Sequence, residues 1–433
     1  MKNSQFNSFF PYQNKMIGYN SFSNKFLVLE PMLFDLLDSG IKHDSIDELK
    51  DIHKDFYDHL VINEFIIDNN EDEVLKVKKL REKIDFNDES YTMVVNPTMN
   101  CNFKCWYCYE SHIKGSKMNN EVLDKVEKHV RNIIKTQPNL KFFNLSFFGG
   151  EPLLNYKDVV KPMMNKISEI CLDNNIQFGC GFTTNGLLLN EDMIKEMNNI
   201  THPIYQITLD GDEKRHNEVR FINKKRGSFI EIVNNILLLI KNECRVTIRI
   251  NVSEETLENV KGITKYFKFL SDKEKQFMNF SFHRVWQEEK INVDDKLRDI
   301  VGYFRSIGLD THNEGVLLDA VKNSCYADKK YQSTINYNGD VFKCTARDFK
   351  KENREGELLE DGSILWNETF NERMDIKFKN KPCLSCKILP LCNGGCSQHA
   401  LENKGTDYCV HNFDEDEKLK LIKDKFFYHL QKN

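Results

Sequence analysis

Residues 95–110 read VNPTMNCNFKCWYCYE, and the spacing of their cysteines constrains what the rest of the chain must be. Cys101, Cys105 and Cys108 form a Cx3Cx2C loop directly after a short apolar run, YTMVVNP, at 91–97. Structural zinc takes four ligands in paired spacings, so a tight three-cysteine loop read without a histidine partner suits zinc poorly. An iron-sulfur cluster with one iron free of protein ligands fits better, because that iron can hold a substrate or cofactor.

Working outward, the chain of 433 residues holds 13 cysteines. Three sit in the loop, seven lie at 325–409, and Cys171, Cys180 and Cys244 stand apart. Short fixed spacings at two sites point to two metal-binding regions rather than to scattered core residues. Lys and Arg number 61 against 66 Asp and Glu, a formal net charge of −5, which argues against a chain built to grip nucleic acid. No apolar run approaches the ~20 residues that span a bilayer. The segment MKNSQFNSFFPYQNK lacks the apolar stretch of a signal peptide. A cytoplasmic protein with no membrane partner is expected, and a reducing compartment makes metal chemistry the leading reason for so many thiols.

The patterning predicts three parts. Residues 1–88 read as a small α+β module: a strand-like KFLVL, an apolar helix ended by Gly40, a helix carrying Leu49, Ile52, Phe56 and Leu60, and a charged helix EDEVLKVKKLREKID. From 89 to 310, strands expected at 91–97, 141–150, 176–186, 203–211, 245–253 and 277–286 alternate with amphipathic helices. That alternation implies a parallel sheet, doubly wound or curled into an incomplete barrel, with its chemistry at the C-terminal strand ends. Residues 311–433 are loop-rich and Cys-rich and close with a helix around DEKLKLIKDKFFYHL.

The loop, with Trp106 as the aromatic of Cx3CφxC, resembles the signature of the radical S-adenosylmethionine (SAM) enzymes. Further strand ends are similar to that family: FFGGEP with Gly149, Gly150 and Glu151, TTNG with Thr184 and Asn185, and LDG followed by HNEVR. The resemblance implies a partial (β/α)6 barrel, a SAM-binding four-iron cluster on Cys101, Cys105 and Cys108, and SAM held by Trp106, Tyr107, the GGE segment, Thr184, Asn185 and Arg220. His216 is a marker position of the peptide-modifying members. A guanidinium suits the SAM carboxylate because its donors engage both oxygens.

Downstream, Cys325, Gly339 and Cys344 read Cx13Gx4C, then Cys383, Cys386, Cys392 and Cys396 read Cx2Cx5Cx3C, with Cys409 last. This is similar to the seven-cysteine SPASM region that carries two auxiliary four-iron clusters in radical SAM maturases. By that pattern Cys325, Cys344 and Cys396 hold the first, and Cys383, Cys386, Cys392 and Cys409 the second. Seven ligands leave one position open, available to a substrate thiolate or a further protein ligand. A zinc ribbon on Cys383 and Cys386, within a zinc-binding interaction module, is the reading from another class.

SPASM-bearing members act on peptides or proteins. The resemblance therefore implies a 5′-deoxyadenosyl radical that takes hydrogen from a precursor peptide and leads to a thioether or carbon-carbon cross-link. A flavodoxin- or ferredoxin-like donor supplies the electron. Residues 1–88 loosely resemble the winged-helix-like domain that binds a precursor leader as an added strand. The alternative is an anaerobic sulfatase maturase, which oxidises Cys or Ser of a protein. Those enzymes carry an acidic base where this chain has Thr345, with Asp348 close by. His283, Arg284 and Trp286 at the end of the sixth strand, and Arg249 with Asn251 on one face of the fifth, are further candidates for the substrate mouth.

Overall fold

The computed structural model describes all residues except 224–225, 286–292, 314–319 and 433; Trp286 lies outside the described residues. Two compact units emerge, one of Met1–Asn87, Gly315–Lys330 and Asn371–Asn433, the other of Asp88–Glu314 and Tyr331–Phe370.

In the first unit, β1 (Lys2–Asn3) pairs antiparallel with β5 (Ile66–Ile67), while β2 (Asn7–Tyr12), β3 (Lys15–Asn20) and β4 (Lys25–Leu29) form an antiparallel meander. Only β4 was expected. The β2–β3 connection is the two-residue loop Gln13 and Asn14, with Gln13 at φ 54, the positive φ that tight hairpins need. The following helix runs Pro31–Lys42 rather than stopping at Gly40. Its end is made by Asp44, the residue at φ 53, and by Ser45 N donating to Gly40 O at 2.9 Å. The helix expected through Leu49 and Leu60 breaks at His53 (ψ 80), whose Nδ1 accepts from Phe56 N at 3.3 Å and caps Lys54–Ile62. The charged helix forms as Glu73–Asp85.

Arg81 on that helix is 2% exposed. Its guanidinium donates to the carbonyls of Val321 at 2.6 Å, Asn323 at 2.5 Å and Pro390 at 2.9 Å, which lie near Cys325 and Cys392 in the chain. The closing helix, Glu415–Lys432, packs Phe426 against Phe10, Tyr12 and Phe26 at centroid separations of 5.6, 5.3 and 5.4 Å. It therefore covers the meander as well as bordering the cysteine-rich segment.

The second unit is built on an 11-stranded sheet ordered β14-β13-β12-β9-β8-β7-β6-β15-β16-β17-β18. The six expected strands are β6 (Ser90–Val95), β7 (Phe142–Phe147), β8 (Gln177–Thr184), β9 (Ile204–Thr208), β12 (Arg245–Val252) and β13 (Met278–Arg284), and neighbours pair in parallel. Neighbours in sequence are neighbours in space, the order of a (β/α) barrel rather than of a doubly wound sheet. A short ribbon of β10 (Phe221–Asn223) and β11 (Arg226–Gly227) lies outside the sheet. The sheet continues with β14 (Thr311–Asn313) at one edge. Beyond β6 come β15 (Gln332–Ile335), parallel to it, then antiparallel β16 (Asp340–Phe342), β17 (Gly356–Leu358) and β18 (Ile364–Trp366).

Register explains where chemistry is possible. Tyr91, Phe143 and Phe178 are matched across the first three strands, as are Met93, Leu145 and Cys180, and Ile207, Ile248 and Phe280 across the last three. This face packs on Val126, Val130, Met164, Ile167 and Ile236 of the surrounding helices. The alternate residues are polar: Asn144, Ser146, Thr183, Gln206, Thr208, Arg249, Asn251, Ser281 and His283. A side-chain period of 2 puts them all on the face away from the helices. Among the described residues, no helix is long and apolar enough to cross a membrane.

Candidate active site

The loop after β6 carries Cys101 and Cys105, both partly buried, and Cys108, exposed. Burial pushes the Cys101 thiol up to about 12 and the Cys108 thiol up to about 11. Such thiols become thiolates by giving their protons up to a metal. The loop was expected to have no histidine nearby, but His112 Nε2 lies 3.5 Å from Cys108 Sγ. Among the described residues no three His, Cys, Asp or Glu side chains converge on a single-ion site; a four-iron cluster holds its thiolates farther apart than one ion does.

The GGE turn is fitted against the approach to this loop. Gly149 (φ 72) and Gly150 (φ 43) need positive φ, and a Cβ on them would lie 2.6 Å from Asn96 Cγ and 2.3 Å from Asn100 O. Gly150 N donates to Glu110 Oε2 at 2.7 Å. Glu151 is fully buried, and its carboxylate accepts from Leu153 N at 3.0 Å, Thr184 Oγ1 at 2.7 Å and Asn185 N at 2.7 Å. Glu151 ties the end of β7 to the end of β8. Asn185 Nδ2 in turn donates to Asn102 Oδ1 at 2.7 Å, inside the cysteine loop.

Arg220 is brought to the loop. It is 6% exposed, its Nη1 lies 2.9 Å from Tyr107 Oη and 3.6 Å from Cys105 Sγ, and its guanidinium stands 5.4 Å from the Phe103 ring centre. Burial works against its charge, but Cys105, Tyr107 and Asp210 outweigh that and hold it protonated. The Tyr107 hydroxyl donates to Asp210 Oδ2. Burial pushes the Asp210 carboxyl up, opposed by Arg220 and Tyr107. Among the described residues Arg220 Nε is buried without a hydrogen-bond partner, so an unspent donor at this site suits an anionic group such as the SAM carboxylate. Trp106, 46% exposed, stands edge-on to Tyr107.

His216 holds this arrangement from behind. Its Nδ1 accepts from Asp210 N at 3.2 Å and its Nε2 meets Ser228 Oγ at 3.0 Å, while Ser228 Oγ donates to Arg220 O at 2.8 Å. Burial first, then Arg220, lowers its pKa well below the usual value, so a neutral ring spans the two residues. Asp210, Asn102 and Ser228 were not singled out in the sequence. The LDG strand end was the available signal for the first.

Arg249 Nε donates to Asn251 Oδ1 at 2.9 Å on the polar face, and Ser281 Oγ lies 2.7 Å from His283 Nε2. At the exit of the cysteine loop, Tyr109 Oη donates to Thr345 O at 2.7 Å. Ser111 N and Oγ donate to the two oxygens of Asp348 at 2.8 and 2.5 Å, and Lys350 Nζ lies 3.5 Å from Asp348 Oδ2.

In the other unit, Cys383, Cys386, Cys392 and Cys409 line one cavity of about 180 Å³, with Ile388, Leu389 and Phe413 among its apolar walls. Burial pushes the Cys392 thiol up to about 12 and raises Cys383 and Cys386. Four thiols around a space this large suit a polyatomic cluster. Cys325 and Cys396 belong to this unit and are exposed, while Cys344 belongs to the barrel unit and accepts from Ala346 N at 3.3 Å. Cys171, Cys180 and Cys244 are buried core residues.

Residues 95–267 match the radical SAM superfamily. A cysteine-type anaerobic sulfatase-maturating enzyme of Clostridium novyi is 26% identical over 73% of this chain and 90% of its own length. Among solved structures, native anSMEcpe with bound AdoMet superposes with a TM-score of 0.60 at 20% identity, over 79% of this chain and 99% of that one. Streptococcus suis SuiB bound to precursor peptide SuiA superposes at 0.53 and 16% identity, over 94% of this chain and 98% of that one. The cysteine loop, the strand ends that surround it and these likenesses agree: residues 95–267 carry a radical SAM domain, of a superfamily that works with a four-iron cluster and SAM.

Proposed function

We propose that this protein is a maturase that cross-links a precursor peptide, forming a thioether or carbon-carbon bond. The observation that carries this reading over sulfatase maturation is the environment of residues 345–348. The position after Cys344 is Thr345, which offers no carboxylate base, and Asp348 is held by Ser111 N and Oγ with Lys350 Nζ 3.5 Å away. The likeness to SuiB, spanning more of this chain than the likeness to anSMEcpe, supports the same reading, since the difference is comparable in size to an N-terminal module.

In this reading residues 1–88 form the peptide-recognition module, 89–310 the partial barrel and 311–433 the auxiliary-cluster region. The leader docks as a strand along the open edge of β4. Cys101, Cys105 and Cys108 hold the cluster, which with SAM supplies hydrogen abstraction. Arg220 binds the SAM carboxylate, Tyr107 and Asp210 orient Arg220, and Gly149 and Gly150 keep the turn close to the loop. The polar barrel face, with Arg249, Asn251 and His283, receives the peptide segment, and the apolar helix layer keeps water from the reacting carbon. Cys383, Cys386, Cys392 and Cys409 hold one auxiliary cluster, and Cys325, Cys344 and Cys396 another with one ligand position open. A flavodoxin- or ferredoxin-like donor reduces the barrel cluster.

The sulfatase-type reading, oxidation of a Cys or Ser in a protein, is favoured by the name of the Clostridium novyi relative. Asp348→Ala separates the two. With a Cys- and aromatic-containing peptide as substrate, the cross-linking reading expects turnover, seen as loss of one hydrogen pair in mass, to persist within about fivefold, because losing the Asp348 bonds to Ser111 costs about 1 kcal/mol. Abolished turnover with SAM cleavage intact would transfer the base role to Asp348.

A further inference from the structure

The four-cysteine cavity has one lysine in its wall. Lys418, in the first turn of helix Glu415–Lys432, lines it together with His411, Phe413 and Glu415 and is 8% exposed. We infer that Lys418 sets the reduction potential of the cluster held by Cys383, Cys386, Cys392 and Cys409, an inference that rests on the auxiliary-cluster reading above.

The geometry supplies the field. Lys418 Nζ lies 2.5 Å from Glu415 Oε1, yet the two ends of this pair are not equivalent: the lysine side chain is 9% exposed and the glutamate 68%. Solvent and salt screen the carboxylate, while the ammonium acts through the cavity wall. His411 is turned to Glu417, with Nδ1 3.5 Å from Oε1. One-electron reduction of a cluster bound by four thiolates, with the electron coming from the barrel cluster's donor or from the substrate radical, makes the site one charge more negative. A buried cation stabilises the reduced form more than the oxidised form, so the potential rises.

The test uses the full chain with Cys101, Cys105 and Cys108 all changed to Ala, reconstituted anaerobically, with iron analysis and a redox titration followed by electron paramagnetic resonance. The signal removed by Cys383→Ala identifies this site. Lys418→Met, which keeps an apolar stem of similar length, is expected to lower the midpoint by about 59 mV, a tenfold shift in the reduced-to-oxidised ratio. Lys418→Arg is expected to leave it in place, and Glu415→Gln, at the exposed end of the pair, to raise it by less. An unchanged midpoint in Lys418→Met at equal iron content overturns the inference and leaves the cluster reading standing. No loss of iron in Cys383→Ala overturns the cluster reading itself. If Lys418→Met fails to take up iron, Glu415→Gln decides: an upward shift supports the inference and no shift overturns it.

Discussion

The two cysteine regions that can be described each within one unit are built on opposite plans. Around Cys101, Cys105 and Cys108 the neighbours are polar and directional: Arg220, Tyr107 and Asp210 in contact, with His216 and Ser228 fixing them. Around Cys383, Cys386, Cys392 and Cys409 the walls are largely apolar, with Lys418 as a buried charge. Three thiols among hydrogen-bond donors make a site that orients a second molecule. Four thiols in an apolar pocket would complete a cluster's ligation and suit an electron store. On the function proposed above, the difference is that between a centre that does chemistry on a ligand and one that holds charge.

The units also bury ionisable groups differently, which gives the contrast its largest expected break. Arg81→Met removes a buried guanidinium that holds three carbonyls and leaves Asp85 and Asp328 with less countercharge. A loss of about 3–5 kcal/mol is expected by analogy with broken buried pairs, read by denaturant unfolding. Iron should be lost from the four-cysteine cavity ahead of the barrel loop. Equal loss from both regions would merge the two plans into one.

The barrel unit instead keeps a buried histidine neutral. His129 Nδ1 bonds Gly362 O at 2.8 Å, and burial lowers its pKa to about 4 despite that bond. The unfolded chain therefore binds a proton there below about pH 6.5 that the folded chain refuses until about pH 4, so stability falls as pH falls through this window. The contribution is on the order of 3 kcal/mol at its full extent. In the cluster-free chain, His129→Gln should flatten that acid limb; an unchanged limb would assign it to other groups.

Arg220→Met is expected to weaken SAM binding by about 10- to 150-fold, the worth of about 1.5–3 kcal/mol for a charge-assisted bond, measured by calorimetry. Iron in the four-cysteine cavity should not change. Equal SAM affinity in the variant would remove the orienting role from this network and with it half of the comparison.

The cysteines were legible because short spacings survive any fold, and the six parallel strands followed from alternating periods, which left barrel or doubly wound order open. What was not legible depends on long-range placement. Tyr107 and Asp210 are 103 residues apart and meet because the β6 loop and the end of β9 converge. The buried bonds that tie Glu151 to Leu153 N, Thr184 Oγ1 and Asn185 N join residues up to 34 apart and could not be read from the GGE motif. The β2–β3 hairpin was missed because Pro11 and Gly18 interrupt its alternation and its turn, Gln13 and Asn14, lacks glycine. Lys418 is one of several lysines on the closing helix, and only packing shows that it and Lys425 are the buried ones.

The most direct test of the central claim is SAM cleavage alongside iron and sulfide analysis of the anaerobically reconstituted chain. The account expects about twelve irons per chain and release of methionine and 5′-deoxyadenosine under strong reductant. In Cys105→Ala it expects no cleavage and about four irons fewer. A chain that binds zinc in place of iron, or one in which Cys105→Ala cleaves SAM as the parent does, would contradict it.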